Sequence, residues 1–250
     1  MIRINRYAHN LGQPTGTMSS QIPFTAQSVT DTNSSDHSTF SWHMQYMKAL
    51  AERNRWHSTL TAIEMSGALH ANQFRKSGAP YFTHPTRVAT MLVCYGVDCD
   101  RGLTKAFLHD VFEDCSDRIT PSELSAVRGF DARLVPDLIA LTKTYADSKS
   151  DYFTRVGRSL DAVAVKLADR LDNLRDLDVF PTWKICEYLK ETFEWILPLG
   201  RRAVSSFPDH SAVIQSLTST IEYFLAQYAS RGYQFKYDGA ELGFLDTEER

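Results

Sequence analysis

The chain has 250 residues, with Lys+Arg 27 against Asp+Glu 30, a formal net charge of −3. That length fits one domain with a sizeable core. The slight acidity argues against a general nucleic-acid or anionic-membrane binder, and no apolar run reaches the length of a membrane span.

"MIRINRYAHN" carries positive charge, but no apolar stretch follows it, so a secretory signal is not expected. Residues 12–39, "GQPTGTMSSQIPFTAQSVTDTNSSDHST", are dominated by Ser, Thr, Gln, Asn, Gly and Pro. Such a composition cannot offset chain entropy by burial. The expected organisation is therefore a disordered or loosely packed extension over 1–39, a helical domain over 40–230 and a tail over 231–250.

In "WHSTLTAIEMSGALHANQF", Leu60, Ile63, Gly67 and His70 or Ala71 recur at helical steps. Pro85 opens the next expected helix, with Val88, Met91, Leu92 and Tyr95 on its apolar face and Gly96 as its stop. Asp100 is the expected N-cap of a helix containing "LHDVFED", residues 108–114. "TPSEL" pairs Thr120 with Glu123 around Pro121, a capping-box pattern. Further helices are expected at 131–142, 151–158, 160–177, 182–206 and 209–230, giving an all-α bundle of roughly eight to ten helices. Cys94, Cys99, Cys115 and Cys186 form no CxxC pair and read as buried reduced thiols of a cytoplasmic protein.

On one helix, Asp110, Glu113 and Asp114 would share a face and His109 would neighbour Glu113. Leu108, Val111 and Phe112 would anchor the opposite side. Two readings fit: an exposed acidic stripe, or a metal site at the floor of a cleft. "KLADRLDNLRDL", residues 166–177, is again amphipathic, with Leu167, Leu171 and Leu174 inward and Asp169, Asn173 and Asp176 on an adjacent face. "RKSGAPYFTHP" is a turn-rich segment that ends in His84 and Pro85.

Together, "HANQFRKSGAPYFTHPTRVA", "AFLHDVFEDC" and "VKLADRLDNLRDL" resemble the three signature blocks of the HD-domain alarmone hydrolases. That family comprises the hydrolase domain of the long RelA/SpoT-type proteins and small stand-alone hydrolases, including the animal Mesh homologues. The resemblance covers about residues 58–206, and the stand-alone branch is the closer match. It implies an HD-domain fold and one Mn2+ held by His84, His109, Asp110 and Asp169. Glu113 and Asp114 would orient or deprotonate the attacking water. Arg75 and Lys76 would meet the base and the phosphates, Tyr81 would line the same wall, and Asn173 and Asp176 would address the ribose. Arg170 and Arg175 read as helix-surface salt-bridge partners.

The implied reaction is release of pyrophosphate from the 3′ position of (p)ppGpp, in a pocket that can be locally positive. The implied partner is a nucleotide alarmone, with a homo-oligomer and a cognate alarmone synthetase left open. Asp172 stands where relatives commonly carry His or Tyr, and its charge near the ribose-facing turn keeps (p)ppApp and pApp open as substrates. An NADPH phosphatase and an antitoxin-like partner of a toxic synthetase are the remaining alternatives.

Overall fold

A computed structural model describes residues 36–233, with side chains from residue 41 onward. The extension expected over 1–39 and the tail expected over 231–250 lie outside the described residues, except that 36–39 are helical and 231–233 close the last helix. The described chain is all-α: α1 (Asp36–Asn54), α2 (His57–Leu69), α3 (Thr83–Cys94), α4 (Asp100–Leu108), α5 (Val111–Asp114) and α6 (Pro121–Ser125) come first. They are followed by α7 (Leu134–Leu141), α8 (Lys149–Val156), α9 (Leu160–Arg175), α10 (Thr182–Glu191), α11 (Leu197–Ser206) and α12 (Ser211–Ser230). Two of these, α5 and α6, are single turns, which leaves ten longer helices among the described residues. No described helix is long and apolar enough to cross a membrane.

Helix α9 is the axis of the bundle, packing against α3, α4, α7, α11 and α12. Its sequence explains this position. Ala162, Val163, Ala164, Val165, Leu167, Ala168, Leu171 and Leu174 are buried, so most of its circumference is apolar, as in a helix surrounded by others. Around it, α4 packs on α2 and α3, and α12 on α11. Helix α3 begins two residues before Pro85, and it ends where Gly96 takes φ +93°. There the Val97 N–H returns to the Leu92 carbonyl at 2.8 Å, a closure that favours glycine. The capping box of Thr120 and Glu123 is present as expected.

Four features differ from the sequence reading. The segment expected as one helix over 182–206 carries a π turn at Thr192–Ile196. Pro198 follows it, and a proline ring in a regular helix would collide with the carbonyl four residues back. Arg170 is not on the surface: it is 3% exposed and stacks over Tyr188 at 4.4 Å, with Glu191 Oε1 accepting from it at 2.5 Å. All four cysteines are free, but only Cys99 and Cys115 are buried, while Cys94 is exposed and Cys186 half-buried.

The fourth difference concerns Asp100, which caps a helix other than its own. It is the first residue of α4, whose N-cap is Cys99. Its carboxylate accepts from the backbone of Thr59 at 2.7 Å and of Ser58 at 3.3 Å, and from the Thr59 hydroxyl at 2.8 Å. Trp56, at the N-cap of α2, offers no side-chain acceptor, so Asp100 satisfies the first turn of α2 from across the interface. Asp100→Ala is expected to lower unfolding free energy by about 1–2 kcal/mol, read from urea denaturation, with Asp100→Asn retaining part of the loss.

Candidate metal centre and cleft

"LHDVFED" does not form one helix. Helix α4 stops at Leu108, His109 and Asp110 make a turn, and α5 supplies Val111–Asp114. His109 Nδ1 lies 2.8 Å from the Ala106 carbonyl, the acceptor that an unbroken helix would give to the Asp110 N–H. On a continuous helix, neighbouring residues point about 100° apart and do not face one another. The break lets both turn toward one point, with His109 Nε2 at 3.0 Å from Asp110 Oδ2. Leu108 and Val111 are fully buried and hold the turn from behind, while Phe112 is only half-buried.

His84, near the start of α3, and Asp169, midway along α9, meet that turn. His84 Nε2 lies 3.2 Å from His109 Nε2, 3.2 Å from Asp169 Oδ1 and 3.4 Å from Asp110 Oδ2. Ligand atoms of His84, His109 and Asp169 all lie within 4.8 Å of one another, and all three residues are buried. The tautomers follow from the outer contacts. The Ala106 carbonyl can only accept, so His109 Nδ1 carries a hydrogen. His84 Nδ1 faces the Asp172 carboxylate at 2.6 Å and likewise donates. Both Nε2 atoms are thereby left to face each other and two carboxylate oxygens. Two hydrogens directed at each other across 3.2 Å would repel and must instead be aimed at the carboxylates, whereas one cation in that space suits all four atoms at once. A mixed imidazole and carboxylate set suits a divalent transition metal, so the cluster could hold one.

Without such an ion, protons take part of its role. Burial would lower the pKa of His109, but Asp110 and Asp169 outweigh it and raise the group to about 9. His84 is raised well above its ordinary value against the same burial penalty, by Asp110, Asp169 and Asp172. Asp110 is held well below the carboxylate range by His109 and His84, and Asp169 by Lys166 and the two histidines, both against burial.

The cluster forms the floor of a cleft of about 370 Å³. Of the residues singled out from sequence, Arg75, Lys76, Tyr81, His84, Asp110, Glu113, Asp114, Asp169, Asn173 and Asp176 line it, with His109 beneath. The Tyr81 hydroxyl donates to Asp110 Oδ2 at 2.7 Å. Asn173 Nδ2 donates to Asp169 Oδ1 at 2.6 Å, and Asn173 Oδ1 accepts from Arg75 at 3.0 Å. The Arg75 guanidinium also reaches Asp176 at 3.2 Å and lies 5.9 Å above the Tyr81 ring. Glu113 accepts from the Lys143 backbone N–H, and its carboxyl is pushed up by burial. Burial also raises Asp114.

Three contributions escaped the sequence reading. Lys166 lines the cleft and donates to Asp169 Oδ2 at 2.8 Å; the Lys-to-Asp spacing of three was its only signal. His70 stacks on Tyr81 at 4.7 Å. Asp172 does not face a ribose: it is fully buried behind His84 and paired with Arg87, so it gives no ground for a preference between bases. The side chains alone give no excess of lysine and arginine over carboxylates on the cleft wall. Five carboxylates (Asp110, Glu113, Asp114, Asp169 and Asp176) meet three cations (Arg75, Lys76 and Lys166) on the cleft wall.

A group whose folded pKa is raised contributes stability below its unfolded pKa and loses it as pH climbs through the folded value. For His109 that window runs from the ordinary imidazole value of 6.5 to about 9. Chelator-treated protein should therefore show a falling unfolding temperature across that window, while metal-loaded protein stays flatter; calorimetry at stepped pH checks this.

No family model matches the chain. It is 36% identical over 143 residues to a probable guanosine-3′,5′-bis(diphosphate) 3′-pyrophosphohydrolase of Synechocystis, covering 54% of this chain and 18% of that protein. It is 34% identical over 146 residues to the bifunctional (p)ppGpp synthase/hydrolase RelA of Mycobacterium tuberculosis, covering 56% and 20%. With the guanosine-3′,5′-bis(diphosphate) 3′-pyrophosphohydrolase of Borreliella burgdorferi, identity is 27% over 156 residues, covering 58% and 23%. The matches thus span about a fifth of the length of these curated relatives. Among solved structures, a metazoan ortholog of SpoT, described as hydrolysing ppGpp and acting in starvation responses, superposes with a TM-score of 0.50 at 22% identity. That alignment covers 70% of this chain and 96% of the other. The chain is thus similar in sequence, over a little more than half of its length, to RelA/SpoT-type proteins, and it shares the all-α HD fold of the solved metazoan structure.

Proposed function

We propose that the protein is a metal-dependent 3′-pyrophosphohydrolase of (p)ppGpp, releasing GDP or GTP and pyrophosphate. The observation that carries this reading is the convergence of His84 Nε2, His109 Nε2, Asp110 Oδ2 and Asp169 Oδ1 on one point at the floor of a cleft. The activities named for the Synechocystis and Borreliella relatives support the choice of substrate. The ion we assign is Mn2+, held by those four residues. When bound, it supplies a water of lowered pKa and charge neutralisation for the phosphoryl oxygens.

The remaining work falls to the cleft side chains. Glu113 accepts the proton of the attacking water; its raised pKa brings it nearer the range useful to a general base. Asp114, next to it on α5, helps to orient that water. Arg75 packs on the base, and Lys76 meets the phosphates from the exposed rim. Asn173 and Asp176 hold Arg75 in place and address the ribose. Lys166 presents a further positive charge beside Asp169. We place this activity in the cytoplasm, opposite an alarmone synthetase whose product it removes.

Metal-loaded protein given ppGpp should release pyrophosphate and GDP in equal amounts. Asp110→Ala should lose both bound Mn2+ and turnover. Glu113→Gln should keep the metal and lower kcat roughly 10²- to 10⁴-fold, with KM little changed. If the Mn2+-loaded wild type turns over NADPH to free phosphate and leaves every alarmone intact, the proposal is wrong.

A further inference from the structure

Behind the cluster lies a carboxylate that neither ion nor substrate would touch. Asp172 is fully buried and is not part of the cleft wall. His84 Nδ1 meets its Oδ2 at 2.6 Å. Arg87 clamps both of its oxygens, Nε to Oδ1 at 2.7 Å and Nη2 to Oδ2 at 2.9 Å. The same Nη2 reaches Asp176 Oδ2 at 2.6 Å, and Asp176 accepts from Arg75 at 3.2 Å. Arg75 donates to Asn173, and Asn173 to Asp169. The bonds close a ring that leaves the cluster at His84, passes through the cleft arginine and returns at Asp169.

A purely structural need does not explain this arrangement. A buried ion pair is often no more stabilising than apolar residues of the same volume. An imidazole ligand, by contrast, needs a hydrogen on the nitrogen facing away from the metal, and a fixed ring plane. We propose that Asp172, locked by Arg87, is the positioning residue for His84. It accepts from Nδ1, keeps the Nε2 lone pair aimed at the cluster and sets the ring plane. Arg87, which grips Asp172 and Asp176 together, ties that plane to the placement of Arg75. This inference rests on the reading of His84 as a metal ligand.

The test compares wild type, Asp172→Asn, and the double variant Arg87→Met with Asp172→Asn. The double variant removes both charges together and so leaves neither buried alone. Mn2+ affinity is read by competition with a chelator, folding by circular dichroism, and the His84 Nδ1 hydrogen by its low-field, exchange-protected proton resonance. Both variants should stay helical, show that resonance moved upfield and exchanging faster because an amide oxygen accepts less strongly than a carboxylate, and bind Mn2+ about 10- to 100-fold more weakly. Should Asp172→Asn unfold, the double variant carries the comparison. Folded variants that bind Mn2+ within about twofold of wild type overturn the inference, whatever their activity. A wild type that binds Mn2+ and loses affinity in the variants, yet hydrolyses no alarmone, supports this inference and sinks the proposed function.

Discussion

Two imidazole nitrogens, Nε2 of His84 and Nε2 of His109, face each other across 3.2 Å, with oxygens of Asp110 and Asp169 beside them. Each ring is turned that way by a bond on its far side, to Asp172 in one case and to the Ala106 carbonyl in the other. Four electron-rich atoms aimed at one point repel one another unless something positive lies between them. Much of the local architecture enforces this convergence. Helix α4 breaks after Leu108 so that consecutive residues can share a direction. Helix α3 starts at the end of the 73–83 turn, so that His84 enters from the opposite side. Helix α9, packed against α3, α4, α7, α11 and α12, carries Asp169 into the same space on a rigid backbone.

The 73–83 turn couples the cluster to the mouth of the cleft. The Arg75 N–H bonds the Ala79 carbonyl at 2.8 Å and the Tyr81 N–H bonds the Gln73 carbonyl at 2.9 Å, which closes a tight hairpin. Gly78 sits in it at φ +87°, a conformation that side-chain-bearing residues rarely adopt. One short loop thus places Arg75 and Lys76 at the rim, Tyr81 on Asp110 and His84 at the floor. A change in the hairpin would move all four groups together. If the proposed reaction takes place here, it would tolerate little such displacement, because positioning accounts for much of an enzyme's rate.

The residues that converge on the floor were legible as candidates because a mixed imidazole and carboxylate set restricts them to His and Asp, and three short blocks contain all four. Helix spacing also placed α2, α3 and α9 and the inward leucines of α9. What periodicity could not reveal was the break at His109 and Asp110. Apolar spacing runs straight through it, and the cause is a side-chain bond to a carbonyl that no pattern of hydrophobes records. Charged residues misled for a related reason. Asp100 reads as the cap of its own helix, Arg170 as a surface salt-bridge partner and Asp172 as a charge near the ribose, yet each is taken up by a partner at least 18 residues away in sequence. The π turn ahead of Pro198 was hidden likewise, since a shifted hydrogen-bond register leaves the apolar period nearly intact. Partners distant in sequence decide whether a charge is surface or interior, and a single chain read locally does not contain them.

The excess of carboxylates over cations along the cleft looks unsuited to a substrate made of phosphates, and it would be unsuited if the charges were spread evenly. They are not. Asp176 is already neutralised between Arg75 and Arg87, and Asp169 is in contact with Lys166. Acidity with no lysine or arginine side chain in contact is thereby concentrated at Asp110, Glu113 and Asp114, beside the cluster, while Arg75 and Lys76 stand toward the rim. A divalent ion at the cluster would reverse the sign of the potential at the floor, and only then would the cleft attract a polyanion along its whole length. Affinity for ion and substrate would then be linked through the same charges, each raising the other by one common factor. Under the proposed function, the acidic residues would keep phosphates away from a floor without its ion, and the ion that enables the chemistry would also admit the substrate.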